Sequence, residues 1–163
     1  MRAFYEQIKA KINADLPRYK TVELYNNQDT NLKDLINEGV IFPAVFIDFD
    51  FNETIQLALG IKDMDMTVRF RFMFESYERG SRVEDLDLMT EFTGVFDLYK
   101  GIEQDPLQFT QFNEILRGLD EDHDMVNFPF IDYATIYRNQ ENYERATHLV
   151  HTPVEPDITG EVI

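Results

Sequence analysis

The chain has 163 residues, and 31 acidic against 15 basic side chains give it a formal net charge of -16. That balance argues against nucleic acid as a main partner, since phosphate binding draws its affinity from clustered Lys and Arg, and equally against an anionic membrane surface. Cysteine is absent, which excludes disulfide frameworks, thiolate catalysis and Cys-based zinc sites, while 44% hydrophobic and 13% aromatic residues are too much core material for a disordered chain.

The opening Met1-Arg2-Ala3-Phe4-Tyr5-Glu6 lacks the apolar core of a signal peptide. No apolar run reaches the roughly 18 residues that a membrane span requires, so the cytoplasm is the expected compartment. Phe4, Ile8, Ile12 and Leu16 recur every fourth residue and predict an amphipathic helix that stops at Pro17. Thr21-Val22-Glu23-Leu24-Tyr25 follows as a short strand. From Asn26 to Gly39 the chain is polar and turn-rich and reads mostly as loop.

The strongest local signal comes next. Val45, Ile47, Phe49 and Phe51 alternate with Ala44, Phe46, Asp48 and Asp50, and Asn52-Glu53 then supplies a turn. Ile55, Leu57 and Leu59 continue the alternation to Gly60. After a break at Ile61-Lys62-Asp63, Met64, Met66, Val68, Phe70, Phe72 and Phe74 take every second place. Period two held this long means a strand with one buried face. Three such runs with tight connections predict an antiparallel meander. On its wetter face Arg69 and Arg71 are expected to lie exposed near Asp48 and Asp50, in pairs contributing about 0–1 kcal/mol each.

Two helices are predicted after the sheet. Ser81-Arg82-Val83-Glu84 has the form of a capping box, and Leu86, Met89, Phe92, Phe96 and Tyr99 mark the face to be buried. Asp105-Pro106-Leu107-Gln108 repeats the start signal, with Phe109, Phe112, Ile115, Leu116 and Leu119 as the apolar set. An acidic loop, Asp120 to Asp124, leads to a last strand around Asp132–Arg138. The expectation is an α+β domain over residues 1–151, an antiparallel sheet covered on one side by two or three helices. Residues 152–163, with Pro153, Pro156 and Gly160, form an extended arm suited to strand addition at a neighbour's sheet edge.

Candidate sites are few. Asp120, Asp122 and Asp124 match the first positions of a calcium loop, but Met125 stands where Gly is needed and Ile131 where Glu is needed. A solvated acidic loop is the better reading. His148 and His151 are three apart without a supporting third ligand, and read as surface residues. Asp48 and Asp50 share a strand face, where they could hold magnesium or act as a carboxylate pair, and read better as part of a solvated, Arg-paired surface. There is no nucleophile elbow, P-loop or dinucleotide fingerprint. Ser76 and Ser81 are the only serines. No catalytic, cofactor-binding or metal-binding residue is assigned, and no cofactor or small-molecule substrate is expected.

The order of parts, with Leu16-Pro17-Arg18-Tyr19, Phe42-Pro43-Ala44-Val45-Phe46-Ile47, Met66-Thr67-Val68-Arg69-Phe70-Arg71-Phe72 and Ile131-Asp132-Tyr133-Ala134-Thr135-Ile136-Tyr137 at its corners, resembles the tail terminator and tail-completion proteins of tailed bacteriophages. The resemblance spans residues 1–140 and implies a non-enzymatic protein that forms a ring at the head-proximal end of the tail. It also implies other tail or connector proteins as partners, and a move from cytoplasm to virion on assembly. Two other classes compete. One is a small metal-dependent or ligand-binding enzyme using Asp48, Asp50 and His123. The other is an acidic adaptor that mimics nucleic acid.

Overall fold

The stripe Phe4, Ile8, Ile12 forms as the sequence predicts, on a helix α1 that spans Arg2–Asp15 and buries all three side chains. Leu16 is buried just beyond its end. The computed structural model describes residues 2–25, 39–58, 61–74, 82–100, 109–120 and 128–139. After α1 come β1 (Thr21–Leu24), β2 (Ala44–Ala58), β3 (Ile61–Met73), helix α2 (Arg82–Phe96), β4 (Asn113–Asp120) and β5 (Phe128–Asn139). The strands form one sheet in the order β1-β2-β3-β5-β4. The architecture is α+β, and the sheet is mixed: β1 runs parallel to β2, and every other pair is antiparallel.

Both helices lie on one face of the sheet. Phe4 meets Phe49, Phe109 and Tyr137, which ties α1 to β2 and β5. On α2, Leu88, Met89, Phe92 and Phe96 are buried against Val68, Phe70 and Phe72 of β3 and Ile131 and Tyr133 of β5. The expected face of α2 is corrected at one residue. Leu86 is exposed, and Leu88 takes its place in the core. Glu84 and Asp85 occupy the first turn, where they favour the positive end of the helix dipole. The expected cap Ser81 lies outside the described residues.

Three expectations about the sheet are overturned. The first is the meander. Asn52-Glu53 is no turn; β2 runs straight through it, with a bulge between Phe51 and Glu53, and pairs with β3 from Ala44↔Met73 to Ala58↔Ile61. Asn52 is the extra residue, and its amide donates to Thr67 Oγ1 at 3.2 Å. A polar pair that would fit a turn here accommodates one unpaired residue. The expected break at residues 61–63 is the start of β3.

The second is the helix expected over 105–119. Asn113–Asp120 is a strand, paired antiparallel with β5. Phe109 and Phe112 are buried as predicted, but from extended chain: Phe109 bridges Tyr137, and the Phe112 N–H donates to Tyr99 O at 2.8 Å. Ile115 and Leu116 are exposed rather than buried. Spacings of three and four residues suit a helix, yet here tertiary pairing outweighs the local pattern.

The third concerns Arg71, which is expected to be exposed. It does face away from Phe70, but it is only 9% exposed. It stands opposite Phe46 and lies over the Tyr25 ring at 4.2 Å. Ala44, Phe46 and Met73 form a second small core on this face, covered by Tyr25, Val40 and Phe42.

Two buried phenols make the fold sensitive to alkali. Burial, then the Glu91 carboxylate, hold Tyr19 well above the usual phenol range, and its hydroxyl donates to Leu88 O at 3.0 Å. Burial, then the Glu114 carboxylate, push Tyr133 up to about 12. A group whose pKa rises on folding stabilises fully below its unfolded value, near 10 for Tyr, and loses that contribution as pH climbs through the folded value. The urea midpoint should therefore hold between pH 8 and 9.5 and fall steeply between about pH 10 and 12. A flat profile across that window would show the phenols to be accessible.

Candidate functional site

The face of the sheet opposite the helices carries the polar residues singled out in the sequence. Strand alternation puts Asp48 and Asp50 of β2 there, beside Asp65, Thr67 and Arg69 of β3 and Asp132 of β5. Asp48 stands opposite Arg69 as expected, but Asp50 stands opposite Thr67, and Arg71 is one residue further along, opposite Phe46. The Arg69 guanidinium turns to the other neighbouring strand. Its Nε and Nη2 donate to the two carboxylate oxygens of Asp132 at 2.7 and 2.8 Å.

That pair is well built. Asp132 is 3% exposed, and the two-pronged geometry matches the planar guanidinium to the carboxylate. The Arg69 guanidinium also stacks over the Phe130 ring at 4.4 Å. The other neighbour of Phe130 is Gly118 of β4, where a Cβ would come within 2.9 Å of the ring. Gly118 thus leaves the space that Phe130 fills. The sequence offered a weak signal for this group, a single Asp in the otherwise apolar stretch from Phe128 to Ala134. A second two-pronged pair, Arg138 to Asp63 at 2.7 Å for both bonds, sits further along the same face. It holds the Asp63 carboxyl below its usual range.

Asp48 and Asp50 are not brought together with a histidine among the described residues, because His123, His148 and His151 all lie outside them, as does the loop from Glu121 to Asp124. No group of three metal-ligating side chains occurs among the described residues. The face carries the two fixed ion pairs, a half-buried Asp48, an exposed Asp50, and the exposed apolar side chains of Ile55, Leu116 and Ile136. No family model and no curated protein matches this chain. No described helix is long and apolar enough to cross a membrane.

The edges of the sheet are the second feature. β1 covers only Ala44–Ile47 of β2, so the outer half of β2 has no strand neighbour on that side among the described residues, and Phe51, Ile55 and Leu57 are exposed along it. At the opposite edge β4 pairs, among the described residues, with β5 alone. Its bulge between Glu114 and Leu116 brings Glu114 and Arg117 onto the helix-bearing face. There Arg117 donates to Glu114 at 2.8 Å and to Thr93 Oγ1 of α2 at 2.9 Å. A helix would also bring Glu114 and Arg117 together, three residues apart, but nothing in the sequence predicts the contact with Thr93.

Proposed function

We propose that this chain is a non-enzymatic assembly protein that works through its sheet edges, and that its place is a ring at the head-proximal end of a bacteriophage tail. The observation that carries the reading is the sheet itself, whose two edges have stretches without a strand neighbour among the described residues and carry exposed apolar side chains. An open strand edge offers unpaired main-chain donors and acceptors to another chain. The opening helix, the long strand β3, the helix after it and the late strand β5 agree with the order of parts on which the resemblance to tail terminators was drawn, while the second helix of that order is the strand β4. The expected partners are further copies of the chain and neighbouring tail or connector proteins. The acidic surface opposes close packing of like subunits, so the contacts between copies are apolar or pair Arg with an acid.

The test is native mass measurement with negative-stain imaging of the full chain at rising salt concentration. A closed ring of several copies, favoured as salt screens the repulsion, is the expected result. A chain that never exceeds two copies at any concentration or ionic strength removes the ring.

A further inference from the structure

We propose that β4 is a self-docking edge, at which two copies of the chain pair their β4 strands antiparallel about a two-fold axis between Ile115 and Leu116. The inference goes beyond the ring and does not depend on it. It starts from where the edge opens. On the outer side of the chain leading into β4, the Leu98 N–H donates to Phe112 O at 3.1 Å and the Phe112 N–H donates to Tyr99 O. That side is closed as far as Phe112. From Asn113 onward no described strand lies beside β4.

Three exposed leucine and isoleucine side chains surround this opening: Leu98 at 55%, Ile115 at 57% and Leu116 at 51%. Leu98 sits with φ at +61°, directly after α2, a position usually left to Gly. A bulky apolar side chain held there, in the open, is unusual. A strand edge with exposed apolar residues is a template for another strand, and the charges on this one, Glu114 and Arg117, are of opposite sign.

The charge pattern selects a second copy as the occupant. With the axis between Ile115 and Leu116, Glu114 of one copy stands opposite Arg117 of the other, and Arg117 opposite Glu114, while Ile115 meets Leu116 at the centre. Residues three apart on a regular strand point to opposite faces, and such a pair would not meet. The bulge at Ile115 removes that obstacle, because it puts Glu114 and Arg117 on the same face. Each Arg then lies between its own Glu and the Glu of the second copy. The edge is therefore complementary to itself in charge as well as shape. The outer half of β2 is not, because it carries Asp48, Asp50 and Glu53 and no basic residue that a second copy could offer them.

Charge exchange across the two copies tests this directly. The mass of the wild-type chain is followed at low ionic strength, before salt favours a ring, from low micromolar to submillimolar concentration, and is expected to rise there from one chain of 19.3 kDa to two. Glu114→Arg alone and Arg117→Glu alone each place like charges opposite one another at both symmetric positions, and should each weaken association about tenfold. An equimolar mixture of those two proteins restores opposite charges between copies and should associate as the wild type does. The internal Arg117–Glu114 pair stays broken in both, so recovery reads the contact between copies alone. Leu116→Lys, at an exposed site, should also give a folded monomer. A wild type monomeric throughout overturns the proposal, as does a mixture no heavier than its components. A ring that none of these variants disturbs would overturn the β4 dimer and leave the ring standing.

Discussion

Phe70→Ala should cost about 3–5 kcal/mol of unfolding free energy, the range for removing a buried aromatic side chain. Phe70 is fully buried at the centre of β3. Its ring contacts Phe92 at 4.8 Å and Phe96 at 5.1 Å on α2, Tyr133 at 5.8 Å on β5 and Phe112 at 6.4 Å. Truncation leaves a void that faces helix and sheet at once, and neither can close it without pulling away from the other. Arg71, the next residue along, gives the control. An exposed Arg would cost under about 1 kcal/mol. Buried beneath Tyr25, Arg71→Ala should instead cost about 1–2 kcal/mol through lost packing and cation–π attraction. Urea denaturation of both variants checks the order, and equal costs would contradict the register of β3.

Arg69→Met should cost about 3 kcal/mol at neutral pH, because it strands the Asp132 carboxylate in a place water barely reaches. The double change Arg69→Met with Asp132→Leu should recover most of that loss. Replacing a buried ion pair by apolar groups of similar size is often neutral, whereas breaking one side of it is expensive. Thermal denaturation of the two single variants and the double variant forms a closed cycle. If the double variant is as unstable as the sum of the singles, the two residues do not interact and the assigned pair is wrong.

The parts of the fold legible in the sequence are those that a local period fixes. Phe4, Ile8 and Ile12 commit α1 to one face, and the alternation from Met64 to Phe72 commits β3. Misread segments share one property: their conformation depends on residues far away. Asn52 sits in a bulge because Glu53 and Asp65 are held opposite each other by the rest of the hairpin. The segment from Phe109 to Leu116 has helical spacing, yet it lies along β5, which comes later in the chain. Arg71 is buried by Tyr25, more than forty positions earlier. Of the candidate surface, Asp48 and its Arg69 neighbour were visible from alternation alone. The Arg69–Asp132 pair was not, since it requires knowing that β5 lies beside β3, and the bulge that sets Glu114 and Arg117 on one face of β4 was not, since it shows only in the pairing with β5.

The strand order has a consequence for the chain as it is made. β3 is the middle strand, yet its second neighbour, β5, ends at Asn139, sixty-six residues after β3 ends at Met73. At 5–20 residues per second that interval lasts roughly 3–13 seconds on a ribosome. Throughout it one side of β3 lacks its strand neighbour, and for the first third of it α2, which ends at Phe96, is still being made. For those seconds the nascent chain presents Val68, Phe70 and Phe72 on a ready strand edge, and a chaperone or a neighbouring nascent chain can reach them before β5 does.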